Sequence, residues 1–264
     1  MSRLRRKLIC LTGTVASLLV ASIVSPASAG TIIIDAVGGS VSLHSKDLSA
    51  SVFSTALLVG GHYQITDSVL QTIHNDINAD VATDGKITVV SLQTDHGLAL
   101  FNLIDDQDLS GPGGASNATL GFSASVDKPS ADWVNDAGGD LTGVKDGINP
   151  NVSLVTGDFK WNNAGAGDAF AWASLDEGDS GGVLFSKTNL STFVNSAPIQ
   201  FVSWNSILGK WKIVGTENFK AQNNASYAFT VAVPLPPAVW AGLSLMGLMG
   251  IKGYRRQRLI KAGE

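Results

Sequence analysis

Cysteine is all but missing from this 264-residue chain: the one example, Cys10, lies in a leader that is expected to be removed. Without it there is no disulfide framework, no thiolate zinc site and no cysteine nucleophile. Arginine is absent from Gly30 to Pro236, where nine lysines face 21 acids for a net charge of −12. Phosphate backbones are held by clustered Lys and Arg, so nucleic acid is excluded as an expected partner. The four histidines, His44, His62, His74 and His96, show neither H-x-x-x-H nor H-E-x-x-H spacing, and each is expected to be an exposed or loop residue. Alternation of strand and helix patterns, the mark of a parallel sheet, is also lacking.

What is present is concentrated first at the two ends. Arg3, Arg5, Arg6 and Lys7 precede an apolar run from Leu8 to Val24, and Pro26-Ala27-Ser28-Ala29 offers small residues for cleavage. Residues 1–29 therefore read as a signal peptide, cut after Ala29 by signal peptidase. At the other end, Val233-Pro234-Leu235-Pro236-Pro237 leads into an apolar stretch carrying Ala238, Trp240, Leu243, Leu245, Leu248 and Ile251. Arg255, Arg256 and Arg258 follow as a basic stop. The stretch from Ala238 to Ile251 reaches about 21 Å as a helix, short of the ~30 Å hydrocarbon layer. Gly242, Ser244, Gly247 and Gly250 would let a second helix approach closely.

Val233-Pro234-Leu235-Pro236, the Gly-spaced apolar helix and the Arg255-Arg256 stop resemble the bacterial PEP-CTERM sorting signal in its V-P-L-P-A variant. Pro237 stands where that variant has Ala, and the tail continues past the arginines to Glu264. The resemblance covers about the last thirty residues. It implies recognition and cleavage by an exosortase, a membrane-anchored intermediate, and delivery to the cell surface or extracellular matrix, with matrix polysaccharide as the partner class.

Between the ends, residues 30–232 read as one ectodomain. Thr31–Val37 is β-branched and stops at Gly38-Gly39, and Ser40–Leu43 alternates polar and apolar. Val69, Leu70, Ile73 and Ile77 recur at helical spacing behind Asp67 as N-cap, predicting one short helix to about Asn78. Ile87–Leu92 and Leu98–Ile104 flank Asp95-His96-Gly97 as a hairpin. Residues 132–151 are polar and Gly-rich and are expected to be mostly loop. Short strands at 119–126, 152–155, 157–161, 169–173, 182–185, 200–204, 211–214 and 225–233 complete the pattern of an all-β, antiparallel β-sandwich with one short helix, flanked by a signal helix and a C-terminal transmembrane helix. Trp161, Trp172, Trp204 and Trp211 are expected as core and sheet-pairing aromatics.

Gly167–Trp172, Leu175, Gly178-Asp179 and Phe185, with Phe201–Trp204 answered by Trp211, are similar to a segment of uncharacterised proteins bearing the same sorting signal. That similarity implies a shared exported β-sandwich and no activity. Asp105, Asp106, Asp108 and Gly111 lack the D-x-D-x-D-G register of a calcium loop, so no cofactor is expected and Ca2+ is the single candidate.

Gly178-Asp179-Ser180-Gly181-Gly182 resembles the nucleophile loop of chymotrypsin-like serine proteases, and His44, Asp95 and Ser180 fall in that family's order. The resemblance implies a base, an orienting acid and a nucleophile. His44 lacks the small-residue and cysteine context of that family's histidine, Asp95 serves equally as a hairpin residue, and the Gly-rich string suits a turn. The principal expectation is thus an exported protein without catalytic activity, with a secreted serine hydrolase centred on Ser180 as the alternative.

Overall fold

Fifteen strands and one helix make up the computed structural model, which describes residues 30–36, 38–48, 63–83, 86–104, 118–129, 131–136, 140–145, 151–161, 168–189, 199–219 and 224–232. In chain order the elements are β1 (Thr31–Ala36), β2 (Gly39–His44), β3 (Lys46–Asp47), β4 (Tyr63–Ile65), α1 (Asp67–Asn78), β5 (Ile87–Thr94), β6 (Gly97–Ile104) and β7 (Ala118–Val126). They continue as β8 (Asp132–Asp136), β9 (Asp140–Lys145), β10 (Ser153–Trp161), β11 (Asp168–Leu175), β12 (Ser180–Asn189), β13 (Ile199–Asn205), β14 (Lys210–Glu217) and β15 (Asn224–Val231). The signal segment 1–29 and the sorting segment 233–264 lie outside the described residues. Among those described, no helix is long and apolar enough to cross a membrane.

The strands form two sheets. Seven run in the order β2-β1-β15-β12-β7-β10-β9 and eight are organised as β14-β13-β5-β6-β11-β8-β4, with β3 beside β5. Side chains of both sheets meet in one hydrophobic layer: Ile32 and Ile34 of β1, Phe185 of β12 and Phe229 of β15 pack with Val89, Leu100, Phe170 and Trp172 of the other sheet. A second apolar layer covers the opposite face of the eight-stranded sheet, where Leu70, Ile73 and Ile77 of α1 lie over Phe101, Leu103, Ala171 and Val202. Strands β5, β6 and β11 are therefore buried on both faces, which is why their sequences are largely apolar on both faces rather than alternating.

Helix α1 spans the predicted residues, but Thr66 occupies the N-cap without a side-chain cap bond, and Asp67 stands in the first turn. Its length suffices because the apolar stripe is buried against the sheet, so packing rather than capping holds it. Three strand pairs are parallel, β13 with β5, β3 with β5 and β4 with β8, which corrects the purely antiparallel expectation. Each of them joins a β5 or β8 strand to a partner that arrives by a long connection, and such connections permit parallel pairing. The stretch 132–151 holds two strands, β8 and β9, where loop was expected. Trp172 is fully buried and Trp204 pairs with Trp211 across β13 and β14, as expected of core and pairing aromatics. The Trp161 side chain lies outside the described set.

A polar bond joins the two sheets within the core. Tyr227 of β15 donates its hydroxyl to Asn102 Oδ1 of β6 at 2.5 Å, both residues being buried. Burial pushes the Tyr227 hydroxyl far above its ordinary pKa, and the bond to Asn102 offsets only part of that.

Candidate functional site

The Gly-rich string divides between a turn and a strand. Asp176-Glu177-Gly178-Asp179 forms the β11–β12 turn, with Gly178 at φ +89°, a conformation that glycine adopts without a Cβ penalty. Ser180, Gly181 and Gly182 already belong to β12, which corrects the reading of the whole string as a turn. Strand β12 must pass close to its neighbours here: a Cβ on Gly181 would stand 2.1 Å from the Ser125 carbonyl oxygen and 2.8 Å from the Phe229 ring. This packing requirement accounts for glycine at 181 without any catalytic role.

The turn is tied down by its own polar groups. The Asp179 carboxylate accepts from the Asp176 N–H at 2.8 Å, the Gly178 N–H donates to the Val231 carbonyl at 3.1 Å, and Val231 N–H donates to the Asp179 carbonyl at 2.8 Å. Lys128 reaches over it, with Nζ 2.7 Å from Asp176 Oδ2, 3.3 Å from Asp179 Oδ2 and 2.5 Å from the Ser174 carbonyl. Burial works against the Lys128 charge, but the hydrogen bonds and attraction of Asp176 and Asp179 outweigh it and raise its pKa above the ordinary value. Ser174, at φ +53°, sets its hydroxyl within reach of the His96 carbonyl (3.1 Å) and Asp132 Oδ2 (2.9 Å). The result is a cross-braced turn, with one lysine matched to two carboxylates.

Ser180, His44 and Asp95 are not brought together. In the seven-stranded sheet Ser180 stands opposite Thr230, Thr230 opposite Ile33, and Ile33 opposite Ser42. Three strand spacings of about 4.8 Å put roughly 14 Å between Ser180 and the β2 edge that carries His44, against the ~3 Å that a nucleophile and its base need. The Ser180 hydroxyl donates instead to Asp127 Oδ2 at 3.0 Å. His44 Nδ1 lies 3.1 Å from Thr31 Oγ1, and Asp95 occupies the β5–β6 turn of the other sheet. The Gly178 N–H, which with that of Ser180 would make the oxyanion hole of such a loop, donates instead to the Val231 carbonyl.

The other expected histidines divide. His96 packs against Tyr63 with ring centres 4.3 Å apart and the planes tilted by 50°. His74 corrects the expectation of exposure: it is fully buried on the sheet-facing side of α1, with Nδ1 3.2 Å from Thr83 Oγ1. His62 lies outside the described residues, as do Asp105, Asp106, Asp108 and Gly111 of the calcium candidate. Among the described residues no group of three or more His, Cys, Asp or Glu is placed to hold a metal ion.

A second cluster went unnoticed in the sequence because its members are far apart in the chain. Asp76 of α1 accepts from Lys46 Nζ at 2.5 and 2.7 Å and from Trp211 Nε1 at 2.8 Å, while Asp80, one helical turn on, accepts from the Trp211 N–H at 2.9 Å. Lys46 Nζ also sits 4.3 Å from the Trp204 ring centre, and Trp204 meets Trp211 edge to face at 5.2 Å. This cluster fastens the β13–β14 hairpin to α1.

Two concavities stand out among the described residues. A groove of about 640 Å³ runs over the outer face of the seven-stranded sheet past Asp35, Ser123, Ser125, Gly182 and Ser226. A smaller one of about 380 Å³ lies at the sheet ends between Gly30, Thr31, Leu98, Asp176 and Val231. Comparison with protein-family models, with characterised proteins and with solved structures finds no match to this chain.

Proposed function

We propose that the chain is an exported, non-catalytic β-sandwich protein sorted to the cell surface or extracellular matrix by exosortase-type processing of its C-terminus. The observation that carries this reading is the order of the final segment: Val233-Pro234-Leu235-Pro236, an apolar stretch to Ile251, then Arg255 and Arg256. The signal peptide supplies export, the apolar stretch and basic stop hold a membrane-anchored intermediate, and cleavage after the motif releases the body. The geometry of the body is compatible with such handling. Ala232 N–H donates to the Thr31 carbonyl at 2.8 Å, so the first and last described residues lie side by side at one end of the sheets. Both processing sites adjoin those residues in the sequence.

Signal peptidase and the exosortase are the partners in export, the membrane is the transient anchor, and matrix polysaccharide is the partner class of the mature body. Its acidic, arginine-free surface suits a hydrated matrix rather than a nucleic acid. The test is replacement of Pro234 and Pro236 together by alanine in a host that carries an exosortase. The double variant is expected to accumulate in the membrane fraction. Unchanged delivery to the surface and medium would overturn the reading.

A further inference from the structure

Ile207 and Leu208, at the tip of the β13–β14 hairpin, are 93% and 67% exposed, whereas most other large apolar side chains among the described residues are buried. The tip is not a loose loop. Asn205 Oδ1 accepts from the N–H groups of Ile207 (3.1 Å) and Leu208 (3.0 Å), Gly209 closes the turn at φ +60°, and the hairpin behind it is fastened to α1 through Trp211, Asp76 and Lys46. The built turn thus holds two neighbouring aliphatic side chains out in water as a small, fixed apolar patch.

The position of the tip points to its use. From Ala232, where the described chain ends, a hydrogen bond leads to Thr31, a strand pairing leads to His44, and the His44 N–H donates to Ser203 Oγ at 2.9 Å. Ser203 is two residues before the start of the turn. The tip therefore projects from the same end of the sheets as the C-terminal segment, about two strand spacings of ~4.8 Å and one cross-sheet step away. Only five residues, Val233 to Pro237, separate Ala232 from the apolar stretch, and they span at most ~18 Å.

We infer that the hairpin tip docks on the lipid surface of the membrane that anchors the precursor, with Ile207 and Leu208 entering the interface. The inference rests on the anchored intermediate proposed above. Lys210 and Lys212, both exposed and next to the tip, meet lipid phosphates. The acidic turn at Asp176–Asp179 is on the same end and bonds to Val231 beside the root of the tether, but it is three strands away from the tip, through β5 and β6 to β11. That is about 14 Å, beyond the ~8 Å screening length at physiological salt, and Lys128 already pairs with two of its carboxylates. Two contacts, the tether and the tip, fix the orientation of the body and present the Val233–Pro236 motif to a membrane-embedded enzyme.

The test uses the full chain in a Cys10→Ser background, reconstituted into phosphatidylethanolamine–phosphatidylglycerol vesicles, with an environment-sensitive fluorophore on Leu208→Cys or on Asn218→Cys. Asn218 is exposed just past the far end of β14 and serves as control. The expected result is blue-shifted emission at 208 and quenching by nitroxide-labelled lipid several-fold stronger than at 218. Equal quenching at both sites in protein that stays with the vesicles through a carbonate wash overturns the tip contact alone. Loss of the protein in that wash overturns the anchored intermediate and this inference with it. A blue shift at 208 without lipid quenching assigns the tip to a contact with a second copy of the chain and overturns the lipid contact.

Discussion

Replacing Gly181 by alanine tests most sharply whether the Gly-Asp-Ser-Gly-Gly string is there for packing. The added Cβ would lie 2.1 Å from the Ser125 carbonyl oxygen and 2.8 Å from two atoms of the Phe229 ring. The ring can tilt, but the carbonyl belongs to β7, which pairs with β12 from Gly181 to Asn189 and with β10 on its other side. Relief requires β7 and β12 to separate by about 1 Å, which weakens ladder bonds worth ~1 kcal/mol each and adds an overpacking cost of 1–3 kcal/mol. A loss of about 3 kcal/mol follows, or a fall in Tm of roughly 6–12 °C for a domain of this size. Gly182→Ala is the control, since its Cβ would meet only the Tyr227 carbonyl at an ordinary 3.6 Å. It is expected within about 0.5 kcal/mol of wild type. Urea unfolding of the purified variants measures both. A Gly181→Ala protein as stable as Gly182→Ala would refute the packing account.

Tyr227→Phe leaves Asn102 Oδ1 buried without its donor and is expected to lose about 1–3 kcal/mol by urea unfolding. Because burial raises the Tyr227 pKa in the folded state, the native protein holds this proton above pH 10 while the unfolded chain releases it, so stability falls as pH rises past that value. Absorbance titration at 295 nm should show one tyrosine silent until the protein unfolds. Lys128→Met should lose about 0.5–1 kcal/mol at pH 7, since Asp176 is largely exposed and its share is screened. With the folded Lys128 pKa raised, its contribution is complete below about pH 10.5 and disappears as pH climbs through the folded value, so the gap between variant and wild type should close there. Ser180→Ala removes a 3.0 Å bond to Asp127 and should cost about 0.5–1 kcal/mol, with labelling by serine-hydrolase probes the same before and after.

Legibility in the sequence followed the solvent exposure of each element. The helix could be read to within a residue or so of its ends because Leu70, Ile73 and Ile77 keep a 3.6-residue stripe against polar neighbours, although its N-cap is Thr66 and not Asp67. The hairpin of β5 and β6 was equally plain, its strands being runs of β-forming, largely apolar residues around Asp95-His96. Strands β8 and β9 were hidden by polar composition and by Gly138-Gly139: Asp132 and Asn135 are strand residues whose place is fixed by pairing with β11, which no local window contains. Parallel pairing of β13 with β5 is likewise set across 112 positions, such as Gln200 to Thr88. Of the polar clusters, the Asp179 turn was marked by its Gly-rich string, although the string pointed to a nucleophile loop and the strand register led elsewhere. Lys128 and the Lys46–Asp76–Trp211 group carried no signal, since a lone lysine and a helical aspartate look like solvated surface until the fold joins them.

Intact mass of the protein recovered from the surface and medium fractions of its native host tests the sorting claim most directly. The account predicts a species that has lost residues 1–29 together with the segment after the Val233–Pro236 motif. A mature species that keeps Trp240 through Glu264 in those fractions would contradict it.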